Sequence, residues 1–346
     1  MRGLAIFIVI LLTLTVPAQA AELTAPPAPD GALEYMPEES ETFAQGLWKI
    51  LRSALQQLQP DILKAAALCA ALLGLTLLVS ILEKLPGVSK GPVHLAAVVA
   101  AALLMLSNAR TMVLLGADTV AQLSEYGKLL FPVLTAGMAA QGGVSGSASL
   151  YAATVAFDSV LGTLIGKLLV PLVYIFLALS IGNCAIGEDL LKKLKELIQW
   201  LVTWSLKNLL YIFTGYMGIT KVITGTTDAA SLKAAKLTIS GMVPVVGGIL
   251  SEASEAVLVG AAVMKNAAGI YGLWAIASIL LAPFLRIGVQ YLLLKVTAAL
   301  CAVFDVKPVS LLVQDFSSAM GFLLGMTGAV SMLLLVSIVC FMKGGV

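Results

Sequence analysis

The sequence predicts an all-α, polytopic integral membrane protein, and three observations carry that prediction. Of its 346 residues, 60% are hydrophobic and only 12% charged, where a soluble domain carries roughly 25% charged residues. Mean hydropathy is +1.00. The apolar residues also gather in runs of about 20, the length at which a helix crosses a hydrocarbon core. This composition excludes a disordered chain and a nucleic-acid binder, which needs a basic face. The net charge of +2 is too small to imply an acidic partner.

The first element is a leader. Arg2 precedes an apolar run over 4–16, closed by Ala18-Gln19-Ala20, the pattern of a secretory signal peptide. Cleavage between Ala20 and Ala21 would remove 1–20 and place the new N-terminus outside the cytoplasm; the alternative is an uncleaved anchor. N-terminal sequencing of the membrane protein is expected to start at Ala21, and recovery of Met1 or Arg2 would refute processing. The stretch 21–42 is rich in proline and acid (Pro26, Pro27, Pro29, Glu34, Glu38, Glu39, Glu41). Such composition buries too little apolar surface to order itself, so an extracytoplasmic linker is expected. Phe43, Leu47, Ile50, Leu51, Ala54, Leu55 and Leu58 then recur at helical spacing and stop at Pro60. They predict an amphipathic helix on the membrane surface or against a partner, completing a 21–60 unit ahead of a membrane domain over 61–346.

The spans follow in order. A run over 62–82 is joined by a connector carrying Lys84 and Lys90, which suits a cytoplasmic loop. A return over 93–115 is weakened near its end by Asn108 and Arg110. Residues 129–157 carry no charge but contain Pro132 and the run Gly142-Gly143-Val144-Ser145-Gly146. A span over 168–187 is interrupted by Pro171. Over 188–200, Leu190, Leu191, Leu194, Leu197 and Ile198 share a face opposite Lys192 and Lys195, as in an interfacial helix. Spans over 197–220 (with Trp200, Trp204 and Lys207), 267–285, 287–304 (with Lys295) and 320–342 complete the chain. The expected total is about seven transmembrane helices, several broken by Gly or Pro.

Little in the sequence suggests enzymatic chemistry. Cys69, Cys184, Cys301 and Cys340 lie far apart in apolar stretches, without metal or redox spacing, and read as small apolar fillers. His94 sits at the mouth of an apolar run and reads as interfacial. No nucleophile–base pair or phosphate-cradling loop is apparent, so no catalytic, cofactor-binding or metal-binding residue is expected.

An internal repeat is expected from proline spacing. Phe131-Pro132-Val133 matches Val243-Pro244-Val245 at an offset of 112 residues, which also maps Leu161 onto Leu273, Pro171 onto Pro283 and Ile175 onto Ile287. The clusters Gly116-Ala117-Asp118-Thr119 and Gly225-Thr226-Thr227-Asp228 fall a few residues out of register, and chance alignment is the alternative. A true duplication would make 116–182 and 225–294 two similar bundles. Paired Gly/Pro-interrupted segments point to discontinuous helices, and irregular backbone at membrane depth is tolerated only where it is buried or lines a cavity. That favours a conduit over a passive anchor.

The densest polar cluster runs from Gly225 to Asn266. Glu252 and Glu255, three apart, share a helix face. Pro244 lacks an amide donor, and Gly247 and Gly248 permit departure from regular helix. Intramembrane carboxylates are costly and usually face a cavity or pair with a cation, here Lys236 or Lys265. Asp228, Lys236, Pro244, Gly247, Gly248, Glu252, Glu255, Lys265 and Asn266 are therefore the candidate conduit-lining or partner-contacting residues. A solvated extracytoplasmic loop is the alternative.

The same segment carries a family resemblance. Thr226-Thr227-Asp228-Ala229, Ala235-Lys236, Val243-Pro244-Val245-Val246-Gly247-Gly248, Ser251-Glu252-Ala253 and Lys265-Asn266-Ala267 resemble the core of the stage III sporulation protein AE family. The resemblance implies a sporulation protein of the mother-cell membrane surrounding the forespore. It also implies partners: other membrane proteins of the same operon, a forespore-side protein and further copies of the chain. The implied role is a non-enzymatic subunit of a channel complex that sustains forespore development. Two other readings stand beside it: a coupled secondary transporter using Asp228, Glu252 or Glu255, and a recruiting scaffold.

Overall fold

The computed structural model describes residues 25–33, 36, 43–86, 88–141, 144–186, 189–242 and 247–343, with backbone only at 30, 145, 189–190, 218–262 and 264. The leader and its cleavage site lie outside the described residues. Among those residues every regular element is helical. A short turn α1 (Asp30–Leu33) leads to α2 (Phe43–Gln57), α3 (Gln59–Leu82), α4 (Lys90–Ala140), α5 (Val144–Leu164), α6 (Val170–Ile186), α7 (Asp189–Met242), α8 (Gly247–Val303) and α9 (Lys307–Lys343). A single π-helical turn, Ile165–Leu169, joins α5 to α6.

Among the described residues, five segments are long and apolar enough to cross a membrane: Gln59–Leu82, Lys90–Ala140, Gly146–Ile186, Lys265–Val303 and Lys307–Lys343. One expected boundary accounts for part of the difference from about seven spans. The spans expected over 267–285 and 287–304 are one helix, α8, running straight through Pro283. Arg286, which the sequence places between them, pairs with Asp61 at the start of α3, N···O 2.8 Å. The interfacial helix and the span over 197–220 likewise merge into α7.

Several helices outrun a bilayer. At about 1.5 Å rise per residue, α4 with 51 residues and α8 with 57 have contour lengths near 80 Å. A hydrocarbon core is about 30 Å thick, so much of each lies beyond it. Pro132 was expected to break its segment, yet it sits inside continuous α4. The break expected at the glycine run does form, between Ala140 and Val144. There Gln141 forms a turn before α5 starts.

Helix α9 is the central strut, packing against α4 to α8. It buries Phe316, Met320, Leu323, Val330, Leu334 and Phe341, and aromatic contacts tie it outward. Phe341 stacks on Phe131 of α4 at 6.0 Å, and Phe322 meets Phe176 of α6 edge-on at 5.1 Å. Leucines on the outside of α3 and α4, such as Leu63 and Leu103, stay about 70% exposed, as lipid-facing positions would.

The N-terminal region is more ordered than its composition predicts. Ala28 and Ala32 are buried in the main core. The Tyr126 hydroxyl donates to the Pro26 carbonyl, and the Ala28 amide donates to the Tyr271 hydroxyl, both at 3.4 Å. Over 25–33, α4 and α8 supply the apolar seat that the segment lacks. The amphipathic helix forms as expected, but its partner is the chain itself. Ile50 packs against Trp274 of α8, whose indole stacks on Phe43 at 6.3 Å and donates to the Phe43 carbonyl.

All four cysteines are free thiols. Cys301 accepts a hydrogen bond from the Thr76 hydroxyl at 3.2 Å, joining α8 to α3. Joint replacement of the four by alanine is expected to cost only about 1 kcal/mol per buried site, as lost packing. Membrane fractionation and thermal unfolding check this; failure to insert would reveal a structural bond.

Candidate functional site

Helices α4 and α5 run side by side and are held close by small residues. Ala117, Ala121, Ser124 and Lys128 recur at three- and four-residue steps, which puts them on one face of α4. Opposite lie Asp158, Ser159, Gly162 and Thr163 of α5, then Ile165, Gly166 and Lys167 of the π turn. A Cβ on Gly162 would come within 3.5 Å of the Ser124 Oγ, whereas one on Gly166 would meet nothing within 4 Å. The helices touch at Gly162 and part at Gly166. Between them opens a cleft of about 620 Å³, lined also by Glu125 and Val120. π turns inside α-helices occur often at functional sites because they redirect side chains.

Asp158 forms the cleft's floor. It is 2% exposed, and the Ser124 hydroxyl donates to its Oδ2 at 2.6 Å. Its other oxygen, Oδ1, is buried without a hydrogen-bond partner. A buried polar atom left unpaired costs on the order of 1–3 kcal/mol and so marks a place for a partner. Lys128, Lys167 and Glu125 are exposed around it. The site thus combines two carboxylates, two ammonium groups and several hydroxyls in one recess.

Sequence reasoning missed this cleft although a signal was present. Residues 129–157 carry no charge, and the first charge after them is Asp158. An acid bounding so long an apolar stretch is a functional candidate by cost alone.

Two further polar contacts are buried elsewhere. Lys195 of α7 donates to Asp315 Oδ2 of α9 at 2.7 Å. This corrects the interfacial reading of that helix: Lys195 faces the bundle, while Leu194 and Leu197 point outward. The stripe is split: Ile198 is buried in the core with Lys195 turned inward beside it, while Leu194, Leu197 and Lys192 are exposed. At the far end of α4, the buried Lys265 donates to Gln141 Oε1 at 2.7 Å. A Cβ on Gly137 would lie only 3.0 Å from the Lys265 Cβ, so α8 crosses α4 closely there.

The candidate residues from the sequence are placed unevenly. Lys265 is buried at the α4–α8 crossing, and Asn266 beside it is exposed. Asp228 and Lys236 lie on α7, and Gly247, Gly248, Glu252 and Glu255 on the opening turns of α8; their side chains lie outside the described residues. Pro244 lies outside them altogether. The second half of the expected repeat is therefore described in backbone only over much of its length. Among the described residues, no three His, Cys, Asp or Glu side chains gather as a metal site would require.

Comparison with known proteins adds a family to this geometry. A family model described as Stage III sporulation protein AE matches residues 34–345. A relative from Bacillus subtilis (strain 168), described as "Stage III sporulation protein AE", is 22% identical over 326 residues, covering 92% of this chain and 81% of its own. No solved structure matches the chain.

Proposed function

Because the chain belongs to the stage III sporulation protein AE family, we propose that it is the membrane subunit of a mother cell–forespore channel complex and contributes the conduit. The observation that carries this reading is the polar cleft between α4 and α5, floored by Asp158 with one unpaired oxygen. A passive anchor has no use for a buried, half-satisfied carboxylate among apolar helices. Its partners under this proposal are other membrane proteins of the same sporulation operon, a forespore-side protein and further copies of itself. Its place is the mother-cell membrane around the forespore. Asp228, Lys236, Glu252 and Glu255 are then wall or partner-contact residues.

The test is a spore count beside an immunoblot of membrane fractions. Asp158→Ala is expected to lower spore yield by orders of magnitude after engulfment while the protein still accumulates. Met332→Ala, on the exposed side of α9, should sporulate normally. Normal sporulation of Asp158→Ala would remove the support for a conduit here. A coupled secondary transporter is the second reading, favoured by the same buried acid; it would act in vesicles without operon partners, whereas a complex subunit would not.

A further inference from the structure

We infer that the α4–α5 cleft is a binding site for a small zwitterion, an amino acid or short peptide whose ammonium seats on Asp158 and whose carboxylate meets Lys128 or Lys167. The inference rests on the conduit reading only for its biological purpose; the site itself stands on geometry. Its volume of about 620 Å³ lies within the range of small-molecule sites, roughly 300–1,000 Å³. The charge pattern then selects the ligand. A bare cation would be repelled by Lys128 and Lys167, and a bare anion by Glu125 and Asp158. A neutral apolar ligand would leave Asp158 Oδ1 unpaired and cover the hydroxyls of Ser159 and Thr163 without supplying partners, at a cost for each. A molecule bearing both charges satisfies both sets.

The geometry also orders the contacts. Ser124 already fixes the Asp158 carboxylate through Oδ2, so Oδ1 is presented in one orientation, preorganised for a donor. Lys128 lies one helical turn from Ser124 on the same face of α4, and Lys167 rises from the π turn on the opposite wall. Lys128 is the built-in competitor for Asp158, since its long stem could swing across the mouth. An ammonium arriving at Asp158 leaves that lysine to the ligand's carboxylate.

The experiment uses the full-length protein in detergent, with calorimetric titration of alanine and trialanine. N-acetylalanine and alaninamide serve as probes carrying one charge each. Both zwitterions are expected to bind, and each singly charged probe to bind about tenfold or more weakly, having lost one charge-assisted hydrogen bond. Asp158→Asn and Lys128→Gln should each weaken alanine binding by a similar factor. Gly166→Leu should abolish binding without unfolding, because its side chain would enter open space. Equal binding of alaninamide and alanine would overturn the zwitterion in favour of a plain cation site. Absence of binding by both zwitterions, or retention of binding in folded Gly166→Leu, would overturn the site. Binding in the purified protein together with normal sporulation of Asp158→Ala would sink the conduit and leave the site standing.

Discussion

Asp315→Ala should destabilise the protein by about 3–5 kcal/mol, the usual consequence of stranding one half of a buried ion pair. Asp315 and Lys195 are each only about an eighth exposed, and their contact is 2.7 Å. Removing the carboxylate leaves an ammonium among α6, α7 and α9 with no counter-charge. Replacing both partners by apolar residues of similar volume, Lys195→Met with Asp315→Leu, should recover most of the loss, because neither desolvated charge remains. Thermal unfolding in detergent, completed as a double-mutant cycle, gives the comparison. A double variant no more stable than Asp315→Ala would mean that the pair serves packing rather than charge.

Gly272→Leu should be the second large effect. A Cβ at Gly272 would lie 2.5 Å from Leu130 Cδ2, and Leu130 is fully buried, so the neighbour has little room to yield. Overpacking of this kind costs about 1–3 kcal/mol, and a full leucine side chain should reach the upper end by prising α8 from α4. Gly269→Leu faces Met342, with a nearest approach of 2.6 Å. The unbranched Met adapts more readily, so that variant should lose less. Gly74→Leu, which meets nothing within 4 Å, should be nearly silent. The order of melting temperatures tests the assignment; equal losses at Gly272 and Gly74 would refute it.

Much of the architecture was legible because apolar periodicity follows local spacing. The amphipathic run from Phe43 became α2 and ended within a few residues of Pro60. The final apolar run fell inside α9. What misled was the weight placed on single polar or breaker residues. Arg286 falls between the spans expected over 267–285 and 287–304, but Asp61, far away in sequence, supplies its counter-charge. Pro132 looked like a break, yet α4 carries through it, as α8 does through Pro283. Lys195 looked solvated because one helix cannot reveal that Asp315 waits on another. The cleft was hidden for the same reason. Ser124 and Asp158 are 34 residues apart, and only the hairpin through Gln141 brings them together. Of the residues singled out beforehand, Lys265 showed its importance through a partner, Gln141, that sequence spacing could not suggest.

The seat of the N-terminal segment has a consequence for how the chain is made. Pro26 and Ala28 lie between Tyr126 and Tyr271, and the second of these contacts spans 243 residues. Synthesis proceeds at about 5–20 residues per second, so at that pace the ribosome needs roughly 12–50 s to supply Tyr271 after Ala28 has emerged. Throughout that interval the Pro-rich segment and the apolar side of α2 have only half a binding surface. The earliest residues to emerge are thus among the last to settle. Nascent chains stalled before Tyr271 should be cut there by protease, and chains released after α8 is complete should be protected.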